Sequence, residues 1–285
     1  MQRISSKTMR RGTLFAAAAI LVVVCGCSPA GNPRVLRIAT TSSVDQSGLL
    51  AALLPAFKAE SSIDVRVHVA GSGQALQMLA RGEAALAISH APDAEARALR
   101  EHADWTYRKL AFNEFVVVGP PHDPAGVRGS ADAVEAFRRI AQSGQRFVSR
   151  GDQSGTHERE ERLWTLSGQR PAGELLIVSG RGMAQALRHA DEAEAYTLAD
   201  AATFHRFARQ LELSAHHSGG SDLANTYAVL HASNDPDAAR FARWLTIGPG
   251  RTLIGSFTVD GQRQYSVWPE GCAAAAPSDT PCDLK

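Results

Sequence analysis

The sequence predicts an α/β protein with strands covered by helices on both faces, built as two domains around a cleft. Three observations carry this. Short apolar runs alternate with longer stretches whose apolar residues recur at helical spacing. The chain has 285 residues, 44% of them hydrophobic and 21% charged: enough to bury one large or two ordinary cores, and too charged for a polytopic membrane protein. Gly119-Pro120-Pro121 interrupts the alternation and marks the best domain boundary.

Residues 35–39 read as a first strand and 40–47 as a polar, hydroxyl-rich loop. Leu49, Leu50, Leu53, Leu54 and Phe57 then follow a helical period, with Pro55 requiring a kink or an early end. Val65, Val67 and Val69 alternate as a strand, Gly71-Ser72-Gly73 turns the chain, and Ala75, Leu76 and Leu79 mark a second helix. Residues 85–88 form a third strand, followed by the turn 89–92, a helix from Asp93, and a β-rich run at 115–118. The plan repeats with a helix at 134–140, a strand at 147–148, and a helix at 158–164 with Glu158 and Arg162 one turn apart. A strand at 175–178, a helix from Met183 and a strand at 196–198 complete the second region. Residues 227–230 return to the first region as a strand, and 237–245 form a helix with Asp235 as cap and Pro236 in its first turn.

Residues 1–26 stand apart. Arg3, Lys7, Arg10 and Arg11 form a basic segment, and residues 13–25 are uncharged and mostly apolar. That run is shorter than the roughly 20 apolar residues of a spanning helix and suits a secretory signal. It ends Val24-Cys25-Gly26-Cys27, which resembles the lipobox of bacterial lipoproteins. The resemblance implies cleavage before Cys27, acylation of Cys27, and attachment to a membrane only through lipid. An ordinary signal cut near Pro29-Ala30 is the alternative, and Arg10-Arg11 leaves the twin-arginine export route open beside Sec. Loss of the four basic residues turns 30 basic against 29 acidic groups into 26 against 29, a net charge of −3. Nothing in that balance favours nucleic acid, and an anion has to be held by a local site. Cys272 and Cys282 lie in a Pro/Ala-rich tail, residues 272–285. In an oxidising compartment a disulfide closing this short loop is favoured over two free thiols.

The chemistry lies at four turns of shared composition: Thr40-Thr41-Ser42-Ser43, Gly71-Ser72-Gly73-Gln74, the run S-R-G-D-Q-S-G-T at 149–156, and Gly180-Arg181-Gly182-Met183. Each joins a strand to a helix. Free backbone N–H groups and the helix dipole make such a turn an anion site, although a single Ser or Thr there also serves as an ordinary N-cap. Two turns from each domain converging across a cleft suit a small tetrahedral anion. Arg150 adds a guanidinium able to give two parallel hydrogen bonds to an oxyanion; a surface pair with Asp152 is its alternative role.

These motifs, with S-G-L-L at 47–50, L-L-P-A-F at 53–57, H-A-P-D-A-E at 90–95, N-E-F-V-V-V-G-P at 113–120 and A-Y-T-L-A-D at 195–200, resemble the tungstate-binding proteins of ABC importers. The resemblance spans most of the chain after the signal. It implies a two-lobed periplasmic-binding-protein fold of the class II type with mixed sheets and a ligand cleft. The lobes would be residues 34–118 and 119–225, with 226–271 returning to the first. It implies capture of tungstate or molybdate, without a cofactor, by Thr40, Thr41, Ser42, Ser72, Arg150, Ser154, Gly155, Thr156 and Met183. It further implies a periplasmic monomer that delivers its ion to an ABC permease and its ATPase. Departures are Ser42 for a third Thr, Ser72 for a Thr, Arg181 for the Gln of G-Q-G-M, and Thr226 for the Pro of N-P-Y.

Phosphate and sulfate binders of the same fold are the rivals. Phosphate carries a proton near neutral pH and needs a buried carboxylate to accept it. In phosphate binders that acid sits in an S-D-A-P-like turn, where this chain has Ser89-His90-Ala91-Pro92, so a fully ionised oxyanion fits better. A hydrolase using Ser154 and His157 is disfavoured, because no G-x-S-x-G elbow precedes them and no acid is placed to orient the imidazole. His216-His217 lacks the spacing of a helical zinc site, so neither an enzyme nor a metal centre is expected.

Overall fold

A computed structural model describes residues 34–180 and 182–277, together with Gln2. The chain divides into two compact units, Met1–Asn32 and Pro33–Lys285, and everything below concerns the second. Cys27, Arg181 and Cys282 lie outside the described residues. Cys272 is disulfide-bonded, and its partner lies outside them too.

The first region runs β1 (Arg34–Thr41), α1 (Ser42–Gln46), α2 (Leu49–Ser61), β2 (Ile63–Ala70), α3 (Ser72–Ala80), β3 (Leu86–Ser89), α4 (Pro92–Glu101) and β4 (Trp105–Gly119). The second contains α5 (Ala133–Gln142), β5 (Phe147–Ser149), α6 (Gly155–Ser167), β6 (Leu176–Val178), α7 (Gly182–Glu192), β7 (Tyr196–Asp200), α8 (Ala201–Phe207) and β8 (Ser214–Ser218). β9 (Ala224–Ala232), α9 (Pro236–Thr246) and α10 (Pro249–Ser256) follow, before three two-residue strands.

Among the described residues ten strands form one mixed sheet in the order β2-β1-β3-β9-β4-β7-β5-β6, with β8 and the last two-residue strand also on β4; the other two short strands pair with each other. β1 lies parallel to β2 and β3, and β5 lies parallel to β6 and β7. β9 runs antiparallel to both β3 and β4. β4 is shared: Trp105 to Glu114 pair with β9, and Phe115 to Val118 pair with β7. Two apolar clusters use residues 115–223 alone. The other two join the N-terminal strands to β9, and one of these also takes in Phe241, Trp244, Ile254 and Tyr265.

Three sequence expectations need correction. Thr40 and Thr41 end a strand, and Ser42–Gln46 is a short helix rather than a loop. α2 continues through Pro55, because Pro55 and Ala51, whose carbonyl loses its donor, both lie on the exposed face where water replaces the bond. β4 begins ten residues earlier than the apolar run at 115, since its first part earns its place by pairing with β9 and β12 (Ser266–Val267) rather than by composition. Asp235 caps α9 as expected, its carboxylate accepting from the N–H groups of Asp237 and Ala238.

Candidate functional site

The four predicted turns lie at the carboxyl ends of β1, β2, β5 and β6. Three of them are shaped by glycine or by side-chain capping. Gly71 precedes α3, and a Cβ there would stand 2.8 Å from the carbonyl oxygen of Asp152. Gly151 has φ +58° and Gly182 φ +70°, backbone that favours glycine. Ser154 caps α6, its Oγ accepting from the His157 N–H at 3.2 Å.

Two buried residues tie the turns together. Arg150, 1% exposed, donates from Nη2 to Asp152 Oδ2 at 2.6 Å and to Ser42 Oγ at 3.3 Å, and its Nη1 stands 3.3 Å from Met183 Sδ. Three turns therefore meet at one guanidinium. His90 joins the remaining one: its N–H donates to Ser72 Oγ at 3.2 Å, its Nε2 lies 3.4 Å from Ser43 Oγ, and its carbonyl faces Gly155. The His90 ring stacks on Tyr227 at 5.3 Å, and Nδ1 lies 2.9 Å from Asn225 Oδ1. Burial, with Arg150 nearby, pushes its pKa down to about 4, so this imidazole is neutral at physiological pH and adds no charge.

All nine predicted ligand residues fall in this cluster of turns, and eight of them are buried, Ser42 being half-buried. Three carry buried donors without a partner among the described residues: Thr40 Oγ1, Thr156 Oγ1 and Arg150 Nε. A buried polar group left unpaired costs about 1–3 kcal/mol, so these atoms point to a bound acceptor. Above the turns a cleft of about 530 Å³ is lined by Ser42, Gln46, Gly71, Asp152, Gly180 and Gly182 among others.

Three carboxyl groups surround Arg150. Burial would raise Asp152, but the Arg150 charge and hydrogen bonds from Ser154 outweigh it and hold the acid below its usual range. Glu160 accepts the Arg150 N–H at 3.0 Å, and burial raises it to about 7. Asp200 ends β7 and caps α8 through Oδ1; burial raises it to about 6, and its Oδ2 has no partner among the described residues. Sequence reading missed Glu160 and Asp200 as members of the site. Glu160 sits one turn from Thr156 and on the face of Leu163 and Trp164, and that spacing is its only sequence signal. Asp200 closes an apolar run before a helix, which signals a cap.

Ser154 and His157 do not form a nucleophile–base pair. His157 Nδ1 accepts the Gln153 N–H at 3.1 Å, and its Nε2 lies 3.4 Å from Glu161 Oε1. Among the described residues no group of three His, Cys, Asp or Glu could hold a metal ion.

Thr156→Val should weaken oxyanion binding about tenfold or more, since a hydrogen bond to a charged acceptor contributes about 1.5–3 kcal/mol. The melting temperature of the free protein should not fall, because this hydroxyl serves no internal partner. Calorimetry paired with a thermal melt tests both halves of that statement, and unchanged affinity removes Thr156 from the site.

A family profile described as PBP superfamily domain matches residues 28–248. The chain is 35% identical over 271 residues to the tungstate-binding protein TupA of Peptoclostridium acidaminophilum, covering 88% of this chain and 94% of that one. The crystal structure of the tungstate ABC transporter from Geobacter sulfurreducens matches with a TM-score of 0.70 at 33% identity, over 78% of this chain and 98% of that one. The tungstate-binding protein TupA from Desulfovibrio alaskensis G20 matches at 0.67 and 30% identity, over 82% and 98%. The chain belongs to the PBP superfamily and, within it, to the tungstate-binding proteins of ABC transporters.

Proposed function

We propose that this protein is the extracytoplasmic solute-binding component of an ABC importer, that it captures tungstate or molybdate, and that it performs no catalysis. The observation that carries the reading is the buried meeting of four strand-to-helix turns on Arg150 and His90, with partnerless donors on Thr40, Thr156 and Arg150. Thr40, Thr41, Ser42 and Ser72 supply donors from one lobe, residues 34–118 with 226–271. Arg150, Ser154, Gly155, Thr156 and Met183 supply the other side of the site from residues 119–225. The ion is enclosed when the lobes close. His90 occupies the turn where phosphate binders of this fold carry their proton acceptor, and it is neutral and engaged at both ring nitrogens.

The protein works as a monomer, held to a membrane through acylated Cys27 and passing its ion to a permease with an ATPase. Among the described residues no helix is long and apolar enough to cross a membrane. Titration calorimetry with tungstate, molybdate, sulfate and phosphate tests the ligand: the first two should bind most tightly and phosphate least. Phosphate binding as tight as tungstate overturns the reading. Cys27→Ser should release the protein from the membrane fraction with its affinity intact; a wild-type protein found wholly soluble sinks the anchor.

A further inference from the structure

We propose that Asp200 is the proton-holding residue of the oxyanion site, so that each bound dianion brings one proton into the protein with it. The inference rests on the oxyanion reading above. Asp200 is fully buried at the end of β7, the strand that runs parallel beside β5, whose own end leads into Arg150. Its Oδ1 is committed to the Thr203 N–H at 3.1 Å, while Oδ2 has no partner among the described residues. The groups that face it are Arg150 from the β5–α6 turn, Tyr227 from β9, Tyr265 from the chain before β12, and Thr203 on α8. Burial raises both tyrosines well above their ordinary range, so they stay neutral and Arg150 is the charge that reaches Asp200.

The charge balance follows. Arg150 is already paired with Asp152 at 2.6 Å, and Asp152 is held ionised. Glu160, raised to about 7, accepts from the Arg150 backbone N–H rather than from the guanidinium, and even with Glu160 neutral an ionised Asp200 would make this group net negative before any ligand arrives. A dianion buried beside it would add two more negative charges, all sharing one guanidinium in a low-dielectric interior. A proton from solvent on Asp200 Oδ2 removes one of those charges and satisfies the free oxygen as a donor. Burial pushes Asp200 up to about 6, so it is ionised at neutral pH and close to taking that proton. A dianion raises it further. In its protonated form Asp200 presents a donor at Oδ2, which matches an ion whose oxygens only accept.

The test is calorimetry of the full protein with tungstate, repeated with sulfate, at about pH 7.5 in two buffers of different ionisation enthalpy. Wild type should take up about one proton per ion and lose affinity about tenfold per pH unit between about pH 7 and 8.5. Asp200→Asn keeps an acceptor for the Thr203 N–H; it should bind without proton uptake and with an affinity flat across that range. Glu160→Gln should keep the full uptake, and it carries the assignment if the Asn variant fails to fold. Binding by wild type without uptake overturns the proposal alone. Uptake that persists in Asp200→Asn, or disappears in Glu160→Gln, moves the proton elsewhere and overturns it. Absence of binding to either anion overturns the oxyanion reading, and the proposal with it.

Discussion

Arg150→Glu should abolish tungstate binding, and Arg150→Lys should weaken it about tenfold while narrowing the gap between tungstate, molybdate and sulfate. Arg150 is 1% exposed, its Nη2 is shared between Asp152 and Ser42, and its Nε is free of any partner among the described residues. Lysine keeps the charge but loses the planar fork, so it can serve Asp152 or the ion but cannot reproduce both sets of hydrogen bonds. Glutamate places a second acid beside ionised Asp152 and repels a dianion at the same spot. Breaking a buried ion pair costs about 3–5 kcal/mol, so the Glu variant should also melt lower, whereas Lys should hold most of the stability. Calorimetry and a thermal melt on both variants separate the two effects. Tight tungstate binding by a folded Arg150→Glu protein would show that the guanidinium points away from the ion.

Gly155→Ala should reduce affinity at least about thirtyfold and also lower the melting temperature of the free protein. Gly155 is the first residue of α6 and packs directly on the turn between β3 and α4. A Cβ there would stand 2.8 Å from His90 Cγ and closer still to the His90 carbonyl oxygen. That carbonyl is backbone and cannot swing aside as a flexible side chain could; overpacking of this kind typically costs about 1–3 kcal/mol. The cost falls on the approach of the two turns, because elsewhere in a helix Ala is favoured over Gly by about 1 kcal/mol. Affinity equal to wild type would mean that the approach of α6 to His90 is not needed for binding.

The alternation of strand and helix was legible because strands buried on both faces read as apolar runs, as at Leu86–Ser89 and Tyr196–Asp200. The parts that composition concealed depend on partners. The first ten residues of β4 include Arg108, Lys109 and Glu114, yet Lys109 is buried, with its ammonium on Thr226 Oγ1 at 2.8 Å and over the Trp268 ring. β8, S-A-H-H-S, has no apolar pattern and exists through its pairing with β4. At the site, hydroxyls and glycines before helices announced themselves through capping and turn chemistry. Asp200 announced only a cap and Glu160 only its helix face, because a carboxylate that will be buried looks the same in sequence as one that will meet water.

The shared strand β4 and the returning β9 also decide the order in which this molecule can be assembled. Residues 115–223 hold two complete apolar clusters of their own. The strands β1 and β3 have no such independence: Leu36, Ile38 and Leu86 find their full packing only with Tyr227, Phe241, Trp244 and Tyr265, roughly two hundred positions away along the chain for the first of them. Contacts of that span carry a large closure entropy and form late. The middle of the polypeptide can therefore settle by itself, while the segment made first at the ribosome waits for the segment made last. Pulse-labelled hydrogen exchange during refolding should show amides of β5 and β7 protected before those of β1.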